Sequence, residues 1–174
     1  MPCGSCATGR WIMFIGDVQR VVKEAVNEVL SAEKPEVLKG RKGGYFCLRI
    51  LGADDFLIKP MLVGEVTNGR DTRYIQLCQE KALRLEAEYP ARGHVSSWQS
   101  RDPEQERWGG AILGPDEQNR QYAFSFSGLP ELCDEVAMLL TAVKVGHLTQ
   151  DEAIEIARIS GNDLFIRLSV RIEG

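Results

Sequence analysis

Residues 109–146 read GGAILGPDEQNRQYAFSFSGLPELCDEVAMLLTAVKVG, and their pattern decides the fold. Within Arg120–Ser127, Tyr122, Phe124 and Phe126 alternate with Ala123 and Ser125, the period of two expected of a strand with one buried face. Gly109–Leu113 is a second extended run, and the turn-forming stretch Gly114–Asn119 joins the two into a hairpin. Downstream, Pro130 pre-sets the first turn of a helix, because its fixed φ suits that position and its missing N–H is not needed there. Leu132, Val136, Leu139, Leu140 and Val143 then recur at helical spacing, and Gly146 ends the run.

The preceding residues repeat this grammar. Tyr45–Leu51 and Phe56–Val66 flank the turn residues Gly52–Asp55 and predict a first hairpin. Pro60 cannot donate to a ladder, so its strand belongs at an edge or carries a bulge. Gly40–Gly44, reading GRKGG, is expected to be a loop. A helix from Asp71 or Thr72 to about Glu88 has the stripe Ile75, Cys78, Ala82 and Leu85, with Pro90 as its stop. An earlier helix, Val18–Leu30, is expected to be capped by Asp17.

Near the other end, Thr149 and Glu152 form a capping box for a helix over Gln150–Ser160, and Leu164–Ile172 reads as a last strand. Hairpin, helix, hairpin, helix is the order of an α+β domain: a mainly antiparallel sheet of about five to six strands with helices packed on it. One such domain over residues 15–174 is expected, preceded by a tail and lead-in over residues 1–14.

The bulk properties exclude several classes. A chain of 174 residues with 44% hydrophobic and 26% charged residues has the composition of a globular domain rather than of disorder. Its net charge of −4 argues against a broad nucleic-acid footprint. The longest apolar runs are too short to span a bilayer, and the N-terminus lacks a secretory pattern, so no membrane partner and a cytoplasmic location are expected. Three of the five cysteines (Cys47, Cys78 and Cys133) fall in periodic apolar segments and read as small buried hydrophobes.

Few residues point to chemistry. Cys3 and Cys6 have the C-x-x-C spacing of half a zinc site or of a redox dithiol, but no second ligand pair accompanies them, and an inert tail is the favoured reading. The only histidines are His94 and His147. His147 follows a helix end, where its ring can bond the last carbonyls. His94 lies in the long polar segment Ala91–Trp108 with Trp98, Arg101 and Trp108, and a metal-ligating or pocket role is open to it. The tryptophans suit a flexible wall around a flat ligand, Arg101 suits a carboxylate or propionate, and both tryptophans equally suit a seal over the sheet.

Ser127-Gly128, where a strand runs into a helix N-terminus, can hold an anion. Glu131, Asp134 and Glu135 in the first turns oppose that reading and complement the helix dipole themselves. No phosphate-loop, dinucleotide, nucleophile-elbow or H-E-x-x-H motif occurs, so an enzyme cannot be asserted.

The order of short motifs resembles the GlcG/HbpS-like family, small proteins also described as haem-binding or haem-degrading. The matching pieces are Gly109-Gly110, the turn Gly114–Asn119, Ser127-Gly128 and Asp134-Glu135, preceded by the hairpin Tyr45–Val66, Lys81-Ala82 on the helix, and the helix Val18–Leu30. Coverage is roughly residues 15–146. The insert Ala91–Trp108 and the added segment Thr149–Ile172 depart from the family pattern, and no family ligand maps onto His94 or His147.

The resemblance implies a profilin-like sheet, self-association, and binding of haem or another small ligand. A small-ligand-binding homo-oligomer is therefore the leading expectation, with His94, Trp98, Arg101, Trp108, Ser127 and Gly128 as its site. An interaction module without ligand, and a redox or metal protein using Cys3 and Cys6, are the rivals. If the two cysteines are inert, deleting residues 1–8 should leave melting temperature and metal content unchanged. Stoichiometric zinc that disappears with the deletion would assign them a metal role.

Overall fold

A computed structural model of the chain describes the backbone of residues 4–172 and the side chains of residues 14–171. The elements run α1 (Gly4–Ala32), α2 (Pro35–Leu38), β1 (Lys42–Ile50), β2 (Ile58–Glu65), α3 (Asp71–Arg92), β3 (Ala111–Pro115), β4 (Gln121–Ser127), α4 (Glu131–Lys144), α5 (Gln150–Ser160) and α6 (Asp163–Ile172). The fold is α+β, with one antiparallel sheet of four strands among the described residues, ordered β2-β1-β4-β3.

Strands β1, β3 and β4 divide their residues between two helical layers. Phe46, Leu48, Ile112, Tyr122, Phe124 and Phe126 face the larger core, which α1, α4, α5 and α6 complete with Val18, Val22, Val26, Val136, Leu139, Leu140, Ala153 and Phe165. Cys47, Ala111, Leu113 and Ala123 face the other way, against Cys78, Ala82 and Leu85 of α3. Both faces of β4 are thus covered, where the alternation of aromatic with small residues had suggested one. The small residues are small because α3 lies close on that side.

Pro60 lies in β2, an edge strand, and the β1–β2 register shifts between Phe46 and Leu48. Both features follow from its missing donor.

Four expectations fail for identifiable reasons. Leu164–Ile172 is not a strand but lies in α6, which reduces the strand count to four. Its alternation of apolar and polar residues fits either period, but Leu164, Phe165, Leu168 and Ser169 are the residues buried, a helical spacing, while Val170 is 67% exposed. Asp17 does not cap α1, which starts at Gly4 and runs across the expected boundary at residue 14; no residue there breaks a helix, and a lone glycine such as Gly16 costs only about 1 kcal/mol.

Pro90 does not stop α3, because it sits in the last turn and Gly93, at φ 66°, closes the helix. Lys42, Gly43 and Gly44 belong to β1 and not to a loop. The reason is the crossing of β1 and β4, paired Tyr45 to Ser127. A Cβ on Gly44 would lie 2.1 Å from the Ser127 carbonyl oxygen, and one on Gly128, whose φ is +150°, would lie 2.4 Å from the Cα of Gly44. Only glycines permit this approach.

Gly44→Ala should therefore cost about 1–3 kcal/mol in denaturant unfolding, since backbone must move to admit the methyl. Gly16→Ala, with nothing within 4 Å of the added carbon in mid-helix, should instead raise stability by about 0.5–1 kcal/mol.

Candidate functional site

A cavity of about 320 Å3 opens where β4 ends. Ser127 and Gly128 form its back, and the start of α4 supplies Leu129, Pro130, Glu131 and Asp134. The first turns of α3, with the residue before them, contribute Arg70, Arg73, Tyr74, Leu77 and Lys81. The turn after α2 adds Lys39 and Arg41, and Trp108 closes one side. The volume lies at the small end of ligand sites, which run from about 300 to 1,000 Å3.

The floor is a buried ion pair. Lys81 and Asp134 are 1% and 2% exposed. Lys81 Nζ donates to the Phe126 carbonyl at 2.7 Å and to Asp134 Oδ2 at 3.1 Å, while Asp134 Oδ1 accepts from the Leu129 amide at 2.9 Å. Burial pushes the Asp134 carboxyl up to about 7, against the pull of Lys81, the Leu129 amide and Arg41. Gly110 roofs the pair: a Cβ there would sit 2.7 Å from Asp134 Cβ and 2.8 Å from Lys81 Nζ.

A second ion pair stands at the side. Arg101 Nε donates to Glu131 Oε1 at 2.5 Å, and its guanidinium lies 4.9 Å from the Trp98 ring centroid and 5.7 Å from that of Trp108. The two tryptophans thus hold Arg101 onto Glu131.

The segment 94–108 is a tied structure and not the flexible wall expected of a long loop. Ser96 and Gln99 make a capping box on a short 3-10 turn, Ser97–Ser100. Ser97 Oγ accepts from the Ala111 amide, and Ser96 Oγ donates to Glu135. Arg84, 9% exposed on α3, donates to the carbonyls of Ser97 and Trp108 and to Ser100 Oγ.

Of the residues singled out in the sequence, Trp108, Ser127 and Gly128 line the cavity together. Trp98 and Arg101 stand behind this wall, on Glu131. His94 is not brought to it: its Nδ1 lies 3.0 Å from Glu88 Oε2, near the C-terminus of α3. His147 bonds a strand carbonyl instead of the preceding helix, with Nδ1 3.3 Å from Gly114 O, and packs against Phe14, Tyr122 and Phe124. Burial there lowers its pKa.

Cys3 and the Cys6 side chain lie outside the described residues. Among those described, Cys47, Cys78 and Cys133 are free and buried, and no group of three or more His, Cys, Asp or Glu could hold a metal ion.

Asp134 and Glu135 differ most from expectation. They do not serve as solvated first-turn acids; both side chains are buried. Glu135 accepts from Ser96, Ser160 and Asn162, tying the loop before β3 to α5 and the start of α6, and burial raises its pKa. A sequence signal for the floor did exist: Lys81 falls three residues after Cys78 and four before Leu85, on the apolar stripe of its own helix. A cation on a buried stripe implies a buried counter-charge.

Comparison of the chain with protein-family models, curated proteins and solved structures finds no match. No helix among the described residues is long and apolar enough to cross a membrane.

The floor pair should reveal itself through pH. Asp134 titrates near 7 when folded and near 3.8 when unfolded. Between those values the folded chain holds a proton that the unfolded chain has released, so this group's contribution to stability falls as pH rises through the window. Lys81→Met removes the cation bonded to Asp134 and should cost about 3–5 kcal/mol at pH 8, as breaking a buried pair does. The cost should shrink at pH 5.5, where the carboxyl is neutral. Equal costs at both pH values in urea titrations would show that Asp134 is ionised throughout.

Proposed function

We propose that the protein binds a small organic ligand in the cavity at the end of β4 and acts as a homo-oligomer without assured catalysis. The observation that carries the reading is the cavity itself. It is concave, sits at strand ends between two helix starts, and combines apolar walls with buried, fully bonded polar groups, the usual composition of a ligand site. The motif order shared with the GlcG/HbpS-like family supports both ligand binding and self-association. Exposed Ile159 on α5 and Val170 on α6 offer apolar surface for such contacts.

Haem fits this cavity poorly. The lining contains no His, Cys or Met, and Tyr74, whose hydroxyl accepts from Asn68 Nδ2 at 2.8 Å, is its only neutral side chain of a type that ligates haem iron. The cavity suits a smaller ligand.

The test is a thermal-shift panel of small anions, neutral aromatics, amines and haemin, run on the protein and on Leu77→Trp, which fills the cavity. A compound that raises the melting temperature of the protein but not of the variant is expected. A panel without any such compound would remove the ligand reading and leave an interaction module. A shifted Soret band with haemin, lost in His94→Ala, would instead move the site to the C-terminal end of α3. Sedimentation of the untreated protein checks self-association.

A further inference from the structure

Granting that the cavity is a ligand site, we infer that its ligand is a small organic dianion, with a phosphate-ester or dicarboxylate head seated on Lys39, Arg41, Arg70 and Arg73 and an apolar body against Leu77 and Trp108. In a chain of net charge −4, the cavity lining gathers five cationic side chains and only two acidic ones. Both acids are already matched from within: Asp134 by Lys81, and Glu131 by Arg101, which is not part of the lining.

Four cations remain. Arg73 pairs with Glu106, 61% exposed, at 3.0 Å. Lys39, Arg41 and Arg70 have no ion-pair partner among the described residues. Asp71, beside Arg70 in sequence, accepts from the Tyr45 hydroxyl at 2.8 Å and pairs with no cation among the described residues.

Like charges gathered around one concave surface repel each other, and the low-dielectric walls focus their field into the opening. A single carboxylate would compensate only one of the three unpaired cations. A doubly charged head compensates more of them, and guanidinium groups match both phosphate and carboxylate geometry with paired N–H donors. The remaining wall is apolar: Leu77, Leu129, Pro130 and the ring of Trp108 leave a hydrocarbon or aromatic body in contact with carbon.

The experiment is isothermal titration of the full chain at low ionic strength with phenyl phosphate, phenylmalonate and, as neutral control, benzyl alcohol. At least one dianion should bind with one site per chain, more weakly as salt is raised, and the two arms distinguish a phosphate head from a dicarboxylate. Arg41→Gln and Arg70→Gln should each weaken that binding about tenfold or more, the worth of a hydrogen bond to a charged group. Arg20→Gln, on the exposed face of α1, should leave it unchanged.

Circular dichroism and melting curves establish that the variants are folded. Binding of neither dianion, or dianion binding that survives both arginine changes, overturns the inference. If a neutral or cationic compound from the panel is then displaced by Leu77→Trp, the broader ligand reading stands without it. If no compound at all depends on Leu77, both readings fail together.

Discussion

Backbone lies directly against backbone where Gly43 and Gly44 of β1 pass Ser127 and Gly128 at the end of β4. No side chain fits between them, so the two central strands meet main chain to main chain, and the pairing of Tyr45 with Ser127 follows. That contact sets where β4 stops and therefore where α4 starts. It places the Leu129 amide and Asp134 beside Lys81 of α3. The cavity is the space left over when two helices begin at the end of a strand that is held this tightly.

The buried pair next to that space has a cost as well as a use. Desolvating Lys81 and Asp134 is compensated through the Phe126 carbonyl, the Leu129 amide, the charge of Arg41 and the pair's own attraction, and such pairs rarely stabilise more than an apolar substitute would. What the pair does supply is position. It joins α3 to the start of α4 across the end of β4, and it cancels an acid that would otherwise weaken the positive field of Lys39, Arg41 and Arg70. The Arg101–Glu131 pair cancels the other acid in the lining.

Much of the fold was legible because its signals are local. The alternation in Tyr122–Phe126, the stripe of α4, the edge position forced by Pro60 and the capping box at Thr149 all depend on residues a few positions apart. The second helical layer was not legible, since Ala123 and Ser125 read as solvent-facing until α3 covers them. Nor was α6, because LFIRLSVRI satisfies both periods and only its packing partners decide. Ser127-Gly128 drew attention as a strand running into a helix and Trp108 as an aromatic of the long polar segment, and all three line the cavity. The basic residues of KGR (Lys39 and Arg41) and RDTR (Arg70 and Arg73) were not, because the two stretches lie far apart in sequence and only the packing of α2 and α3 brings them to one cavity. His94 attracted notice by its type, yet geometry sends it elsewhere.

Arg84 holds the 94–108 segment mainly by main-chain atoms, the carbonyls of Ser97 and Trp108, and needs only a hydroxyl at Ser100 from the side chains there. Apart from the side chains that make bonds of their own, those of His94, Ser96, Ser97, Gln99 and Arg101, a segment gripped in this way keeps its path when its side chains change. Trp108, which the segment presents to the cavity, can then change through evolution, or by design, while Arg84 keeps its carbonyl in place. Such a segment can acquire new ligand specificity while its anchor, an arginine on a neighbouring helix, stays the same.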